Sequence, residues 1–212
     1  MRDAGPAPAN AAGGPARAAD ITGLVLAGGR GQRMGGADKG LQAWRGRALV
    51  DHVLARLAPQ VGELMISANR NVAAYAARGQ RVLVDADGDF AGPLAGILAG
   101  LRAARTPRLA VAPCDVPGLP EDLVARLAQA VALDPRHTGA VVQRRGADGA
   151  LRIEPVLCLL SYALADDLAR ALESGQRKVG QWVAAHAVAL PFDRAQDADA
   201  FANFNTLADL DR

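Results

Sequence analysis

The segment Ile21–Gly40 reads ITGLVLAGGRGQRMGGADKG, and it decides the fold class of the chain. Its first seven residues, Ile21–Ala27, form a short, continuous apolar run that ends at Gly28-Gly29. Such a run is typical of a strand buried on both faces, and strands of that kind belong to parallel sheets covered by helices. The glycines that follow form a loop at the carboxyl end of the strand, where ligands bind in open α/β sheets.

Downstream of this segment, patterns typical of strands and of helices alternate. Further strands are predicted around residues 64–66, 82–84, 109–112, 140–142 and 156–160, with short extended candidates at 188–190 and 201–204. Helices are predicted over residues 49–57, 72–77, 93–101, 121–131, 162–172 and 179–185, and Thr206 caps a last short helix. The alternation predicts a three-layer α/β domain, with a mostly parallel sheet and helices on both faces.

The length of 212 residues suits one domain, and no segment has the composition of a linker between domains. We therefore expect residues 21–212 to form a single domain. Residues 1–20 are rich in Ala, Gly and Pro and lack the apolar run of a signal peptide. Because such a composition cannot bury enough apolar surface to fold, we expect residues 1–20 to form a disordered tail.

The overall composition excludes several functional classes. The formal net charge is only +2, which indicates neither a nucleic-acid surface nor an acidic partner. No stretch approaches the ~18 apolar residues that cross a bilayer, so no membrane association is expected. Cys114 and Cys158 are far apart and have no Cys-x-x-Cys spacing, so they indicate neither a disulfide framework nor a zinc site. These features favour a cytoplasmic protein.

The loop after the first strand has the composition of a phosphate-binding segment. Between Leu26 and Gly40 there are six glycines together with Arg30, Arg33 and Lys39. Glycine lets backbone N–H groups approach a ligand closely, and successive N–H groups that point inward bind anions. The three cations add charge suited to a triphosphate. A flexible loop without a ligand would explain the glycines but not the cations among them.

Two familiar phosphate-binding motifs do not match this loop. A Walker loop requires Gly-Lys-Ser/Thr, but Lys39 follows an aspartate and precedes Gly40. A dinucleotide fingerprint requires Gly-x-Gly-x-x-Gly, but Gly29-x-Gly31 is followed by Met34 at the last position. The loop therefore belongs to another class of nucleotide-binding protein.

Aspartates follow two of the predicted strands. Asp85 comes directly after the strand at 82–84, and Asp115 comes shortly after the strand at 109–112. If these strands are parallel to the first, both carboxylates lie at the same edge of the sheet as the glycine-rich loop. A carboxylate opposite a triphosphate requires Mg²⁺ between them, unless it accepts hydrogen bonds from a base. The alternative is that each aspartate caps a turn or a helix. The stiff segment Pro113–Pro117 favours Asp115 as a fixed ligand.

The loop closely resembles the signature of the molybdenum cofactor guanylyltransferases, in which LAGG, a basic stretch and GG-x-DKG follow one another. The resemblance covers about residues 21–210 and continues through SANR at 67–70, GPLAGI at 92–97, PCDVP at 113–117 and FANFNT at 201–206. LAGG with a downstream lysine is shared by many nucleotidyltransferases, whereas GG-x-DKG together with the late Asn-x-Asn-Thr is narrower. The resemblance implies a Rossmann-like nucleotidyltransferase fold.

The resemblance also implies an enzymatic activity. A member of this family transfers GMP from Mg·GTP to the phosphate of molybdopterin and releases pyrophosphate. Mg²⁺ is the implied cofactor, and GTP and molybdopterin, the organic part of the molybdenum cofactor, are the implied substrates. Molybdenum-insertion proteins and molybdoenzyme maturation proteins are candidate partners.

Residue roles follow from the same resemblance. The expected catalytic residues are Lys39, Asp115 and Arg33, and Asp115 is also the expected Mg²⁺ ligand. The expected contacts to the nucleotide come from Leu26, Ala27, Gly28, Gly29, Lys39, Ser67, Asp85 and Asp115. Asn203 and Asn205 match the side that holds the pterin substrate. Ser67 stands where related sequences often carry asparagine.

The chemistry agrees with these roles, and two alternatives stay open. An acceptor that is already an ionised phosphate needs no general base, and the three histidines form neither a pair nor an HExxH motif. The first alternative is a related nucleotidyltransferase that uses CTP or a sugar phosphate acceptor. The second is a nucleotide-binding regulatory module without catalysis, which would not need a positioned metal ligand.

Overall fold

The architecture is known from a computed structural model, which describes residues 17–27, 37–84, 92–134, 136–146, 148–204 and 206–211. The strands are β1 (Ile21–Leu26), β2 (Ala43–Trp44), β3 (Arg47–Ala48), β4 (Glu63–Ser67), β5 (Arg81–Leu83), β6 (Arg108–Pro113), β7 (Gly139–Arg145), β8 (Leu151–Ser161) and β9 (Ala187–Pro191). The α-helices are α1 (Leu49–Leu57), α2 (Val72–Ala76), α3 (Pro93–Ala103), α4 (Leu123–Leu133), α5 (Ala165–Glu173) and α6 (Val179–His186).

The main sheet has seven strands in the order β5-β4-β1-β6-β8-β7-β9. Six of them run in the same direction, and β8 alone is antiparallel to its neighbours β6 and β7. Alternate side chains of β1 enter two different cores because side chains point to opposite faces along a strand. Ile21 and Val25 pack with residues of α1 and α4, whereas Leu24 packs with residues of α3, α5 and α6. The predicted three-layer, mostly parallel α/β fold is therefore confirmed.

Most predicted elements are present; the differences are the hairpin of β2 and β3, which the sequence analysis does not predict, and details in the second half of the chain. Residues 201–204, predicted as a short extended candidate, form a turn and irregular chain instead of a strand. The segment Tyr162–Leu164, predicted as part of a helix, is a separate 3₁₀ turn before α5. The predicted last short helix is the 3₁₀ helix Leu207–Asp211. Thr206 precedes it, and its backbone N–H and hydroxyl donate to Asp209 Oδ2 at 2.9 Å each, so Thr206 is held by the helix through Asp209.

The described chain begins at Arg17. Ala18–Asp20, which the sequence placed in the tail, form one exposed 3₁₀ turn immediately before β1. Residues 1–16 lie outside the described residues, so the division into a tail and one domain stays a prediction. No helix among the described residues is long and apolar enough to cross a bilayer.

Close packing of α3 on the sheet depends on Gly100. A methyl group at Gly100 would lie 2.6 Å from Leu24 Cδ2 and 3.0 Å from Leu109 Cδ2, so α3 can approach β1 and β6 only because the side chain is absent. We expect Gly100→Val to lower the free energy of unfolding by about 1–3 kcal/mol through overpacking. The measurement is urea unfolding, with Ala99→Val on a less buried position of α3 as the matched control. A Gly100→Val protein as stable as Ala99→Val would contradict this account of the interface.

Candidate active site

Four parallel strands end on a common row at one edge of the sheet. Leu26 of β1 pairs with Ser67 of β4 on one side and with Pro113 of β6 on the other, and Ser67 pairs with Leu83 of β5. Backbone hydrogen bonds continue past the row: Ala27 N–H donates to Ser67 O at 2.8 Å. Because the strands stop together, the segments that carry the predicted site residues leave the sheet side by side.

Lys39 and Asp115 meet at this edge, although 75 residues lie between them in the chain. The Lys39 ammonium donates to Asp115 Oδ2 in an ion pair. Both side chains are mostly buried, with 23% and 19% of their surfaces exposed. Two of the three predicted catalytic residues therefore converge on one point, which a solvated ligand can still reach.

A buried carboxylate next to Lys39 fixes the start of this segment. The Asp38 side chain is 5% exposed. It accepts hydrogen bonds from the Tyr75 hydroxyl at 2.6 Å and from Asn71 Nδ2 at 2.9 Å, and Arg70 Nε lies 3.6 Å from its Oδ2. A buried carboxylate is tolerated only with such partners. The loop after β4 and helix α2 thus hold Asp38, and Asp38 holds Lys39 in place.

The sequence pattern does not indicate this anchoring role. Asp38 belongs to the DKG motif, but nothing in the sequence marks Asn71 or Tyr75 as its partners. The one sequence feature that points to an anchor is weak: Asp38 is a charged residue inside a glycine-rich motif, and no ligand is expected to contact it. Nothing in the linear pattern connects residue 38 to the first turns of a helix that starts more than thirty positions later.

Gly40 allows the Asp38 anchor and the Asp115 loop to approach each other. A methyl group at Gly40 would lie 2.5 Å from the Tyr75 hydroxyl and 3.2 Å from Cys114 Sγ. Any side chain here would separate the segment that carries Lys39 from the turn that carries Asp115. The glycine of the DKG motif is therefore required for close packing.

Burial changes the acid–base behaviour of two groups around Gly40. The pKa of the Tyr75 hydroxyl is raised well above its usual value near 10, mainly by burial and next by its hydrogen bond to Asp38. Burial is also the main reason that the pKa of the Cys114 thiol is raised, and the neighbouring Asp115 carboxylate adds to it. Both groups are therefore neutral packing elements at neutral pH, and Cys114 is not an activated nucleophile.

The predicted nucleotide contacts Leu26 and Ser67 lie together under the N-terminal turn of α3, whereas Ala27 packs with the core on the other face of the sheet. Ser67 is 4% exposed and Ala27 is 3% exposed. Gly96 of α3 packs directly on Ser67 and Leu26, since a methyl group there would lie 2.7 Å from Ser67 Oγ and 2.9 Å from Leu26 Cδ2. The low exposure of Ser67 makes it a floor residue of this region.

The C-terminal segment reaches the same edge of the sheet. Phe204 N–H donates to the backbone carbonyl of Asp115 at 3.0 Å, and Phe204 is 7% exposed. The neighbouring Asn203 is exposed. One predicted pterin-side residue is therefore next to a residue that is hydrogen-bonded to the Asp115 turn.

Five predicted site residues are outside the part of the chain that the structure describes: Gly28, Gly29, Arg33, Asp85 and Asn205. Their roles stay predictions. Among the described residues, the structure brings together Leu26, Ala27, Lys39, Ser67, Asp115 and Asn203 around one end of the sheet.

The residues at this edge fit a Mg²⁺ ion that is held jointly with a substrate. No group of three or more His, Cys, Asp or Glu side chains able to hold a metal occurs within the described ranges. Mg²⁺ is usually bound through one or two carboxylates, waters and substrate phosphates. Asp115 is a partly exposed carboxylate beside a cation that suits phosphate, so its chemistry meets that requirement.

A comparison with models of known protein families identifies the family of this chain. The model of the MobA-like NTP transferase domain matches residues 23–189, which include β1, Lys39 and Asp115. The chain belongs to the MobA-like NTP transferase family. It is therefore a nucleotidyltransferase, and the enzyme class predicted from the sequence is confirmed.

Two proteins that are similar to this chain over most of its length carry the same name. The molybdenum cofactor guanylyltransferase of Ralstonia nicotianae is 54% identical over 195 residues, which cover 90% of this chain and 94% of that protein. The molybdenum cofactor guanylyltransferase of Bordetella pertussis is 52% identical over 191 residues, with 90% and 95% coverage. The resemblance found in the sequence motifs therefore extends over nearly the whole chain.

Solved structures agree on the fold. The molybdopterin-guanine dinucleotide biosynthesis protein A of Archaeoglobus fulgidus is similar with a TM-score of 0.71 at 24% identity, over 90% of this chain and 95% of that one. A 4-diphosphocytidyl-2C-methyl-D-erythritol synthase from Anaerococcus prevotii has a TM-score of 0.69 at 11% identity, over 91% and 93%. At these identities the likeness establishes the nucleotidyltransferase fold alone.

The Asp38 anchor generates a pH-dependent prediction. We expect Tyr75→Phe to lower the free energy of unfolding at pH 7 by about 1.5–3 kcal/mol, as for other hydrogen bonds to charged groups. Because the pKa of Tyr75 is raised in the folded state, its stabilising effect is complete below pH 10 and declines as pH rises further, by about 1.4 kcal/mol per unit. Urea unfolding of both proteins between pH 7 and 11 measures this. A difference that is the same at every pH would exclude the anchor as described.

Proposed function

We propose that this chain transfers GMP from GTP, with Mg²⁺, to the phosphate of molybdopterin and releases pyrophosphate. The observation that carries the proposal is the convergence of Lys39 and Asp115 at the carboxyl edge of the sheet. A cation for phosphate beside a carboxylate for Mg²⁺ is the minimum set for nucleotidyl transfer. Relatives that are more than half identical and carry the name molybdenum cofactor guanylyltransferase support this substrate pair.

Each residue has a role in this reaction. The backbone at Leu26 and Ala27, with Gly28 and Gly29, would face the guanine and ribose, together with Ser67 and Asp85. Lys39 and Arg33 would bind phosphate oxygens. Asn203 and Asn205 would hold the pterin. The position of Asn203 beside the Asp115 turn supports an acceptor that approaches from the C-terminal side of the cleft.

The chemistry needs alignment and charge stabilisation more than proton transfer. An ionised phosphate oxygen of molybdopterin attacks the α-phosphorus of GTP, the bond to the bridging oxygen breaks, and pyrophosphate leaves with the electron pair. Lys39 stabilises the charge that develops on the leaving phosphates. Asp115 would hold Mg²⁺, which when bound neutralises phosphate oxygens. No side chain has to remove a proton from the acceptor.

The Lys39–Asp115 pair bears differently on the two alternative functions, a related nucleotidyltransferase and a regulatory module. A cytidylyltransferase or a sugar phosphate transferase would use the same Lys39–Asp115 pair, so its exclusion depends on the base and the acceptor. A regulatory module without catalysis has no use for a carboxylate that is held against a phosphate-binding lysine. The relatives' names favour GTP and molybdopterin.

The setting of the reaction is inferred from less direct features. Both cysteines are buried free thiols, which suits the reducing cytoplasm. Molybdenum-insertion proteins and molybdoenzyme maturation proteins would supply the acceptor or receive the product, and they stay candidate partners.

The function is tested at Asp115. We expect Asp115→Asn to lower pyrophosphate release from GTP, Mg²⁺ and molybdopterin by about 10²-fold or more, because a neutral amide is a poor ligand for Mg²⁺. The fold should persist with a change in unfolding free energy of about 1 kcal/mol or less, since the side chain lies at the partly exposed rim of the site.

A matched control separates loss of the site from loss of an aspartate. The Asp134 side chain is 17% exposed, close to the 19% of Asp115, and follows the C-terminal end of α4, at the opposite edge of the sheet. Asp134→Asn should retain wild-type turnover. If Asp115→Asn released pyrophosphate at the wild-type rate, Asp115 could not be the metal ligand. If the wild type bound GTP but released none in the presence of molybdopterin, the regulatory module would be favoured.

A further inference from the structure

A small hairpin, which the sequence analysis does not predict, follows the Lys39 segment. Strands β2 and β3 pair Trp44 with Arg47, and the turn between them has positive φ angles at Arg45 (49°) and Gly46 (76°). Two positive φ angles in succession match the right-handed twist of a hairpin and favour glycine at the second position. The turn places Trp44 at the end of a short arm, residues 43–48.

The arm is fixed to its surroundings at several points. At its base, Leu49 N–H donates to the Gln42 carbonyl at 2.9 Å, and Gln42 Nε2 donates to the Asp38 carbonyl at 2.9 Å. At its tip, His52 Nε2 lies 2.9 Å from the Trp44 carbonyl, and the His52 and Trp44 rings meet edge to face at 4.9 Å. The indole therefore has a defined position relative to the Asp38–Lys39 segment.

The indole contacts the C-terminal segment. The ring centroids of Trp44 and Phe204 are 4.9 Å apart at an interplanar angle of 62°, an edge-to-face geometry that is favourable for aromatic pairs. The backbone N–H of Phe204 donates to the Asp115 carbonyl at 3.0 Å. The side chain of Asp115 in turn pairs with Lys39, five residues before Trp44.

These contacts form a closed circuit around the reacting centre. It runs from Lys39 along the chain to Trp44, across the rings to Phe204, through the hydrogen bond to Asp115, and back through the ion pair to Lys39. Asn203 precedes Phe204 and is exposed, so its position relative to Lys39 and Asp115 is set by this circuit. The rings are the part of the circuit that the substrates are not expected to touch.

We propose that Trp44 is a positioning residue for the acceptor: its contact with Phe204 holds the Asn203 segment where the phosphate of molybdopterin meets the α-phosphate of GTP. The inference rests on the proposed function and assigns to Trp44 an effect on the acceptor but not on the nucleotide. Without the indole, Phe204 loses its ring partner while its backbone bond to Asp115 stays available. We therefore expect the Asn203 segment to lose its defined position while the nucleotide contacts are retained.

The kinetic test uses the full chain with Trp44→Ala, Trp44→Phe and, as matched control, Trp182→Phe at the only other tryptophan, in α6. We expect Trp44→Ala to raise the KM for molybdopterin about tenfold, the scale of one aromatic pair, and to change the KM for GTP by about twofold or less. Trp44→Phe should recover most of the loss, because a phenyl ring can still meet Phe204. Trp182→Phe should leave both KM values unchanged.

A fluorescence measurement keeps the proposal testable even if Trp44→Ala does not fold. In Trp182→Phe, Trp44 is the sole tryptophan, and its emission should change when molybdopterin is titrated in the presence of GTP and Mg²⁺. Trp44→Phe retains only Trp182, so its emission reports absorption by the pterin alone. Equal changes in the two proteins would overturn the proposal.

The kinetic outcomes also separate this inference from the proposed function. If the wild type is active and Trp44→Ala keeps its KM for molybdopterin, only the positioning role is overturned. The same holds if Trp44→Ala raises the KM values for molybdopterin and GTP equally. Wild type that forms no guanine dinucleotide overturns the proposed function and this inference with it.

Discussion

The common end of four parallel strands is the constraint on which the rest of the site depends. Leu83, Ser67, Leu26 and Pro113 occupy one row, so four connecting segments leave the sheet at the same height. Only a parallel arrangement does this, because antiparallel neighbours would end at opposite edges. Lys39 and Asp115 can form an ion pair across a long stretch of sequence because each follows a strand of this row. A shift of one strand by two residues would move its segment by about 7 Å and separate the pair.

Two aspartates at this edge differ in exposure and therefore in what they can do. Asp38 is nearly inaccessible and its oxygens are occupied by Tyr75 and Asn71, so it holds the backbone in place. Asp115 is partly exposed and its visible partner is Lys39, a side chain that substrates can compete for. Removing a neutral hydrogen-bond donor from a buried charge costs about 1.5–3 kcal/mol, whereas partly exposed ion pairs contribute about 0–1 kcal/mol. Asp38 therefore contributes mainly to the stability of the fold, and Asp115 contributes mainly to the proposed reaction.

The sequence predicted the fold class well because its signals are local. The apolar run of β1, the helical period of α1 and the proline that opens α3 are each visible within about ten residues, and the structure confirms them. The juxtaposition of Lys39 with Asp115 was also predictable, from strand direction. The Asp38 anchor and the Trp44–Phe204 contact were not, because both join residues that are distant in sequence through side-chain packing. The prediction of a strand at residues 201–204 was wrong. Phe201 and Phe204 are both buried in a turn and irregular chain, and in the sequence two aromatic residues in four favour a strand by propensity alone.

The proposed function requires the site to select GTP as the nucleotide donor and molybdopterin as the acceptor. The most direct measurement is a competition: the purified chain with Mg²⁺, molybdopterin and equal concentrations of ATP, CTP, GTP and UTP, followed by mass spectrometry of the pterin products. We expect molybdopterin guanine dinucleotide as the dominant product, formed with one pyrophosphate per dinucleotide and absent when molybdopterin is omitted. Predominant cytosine dinucleotide, or nucleotide hydrolysis without any pterin product, would contradict it.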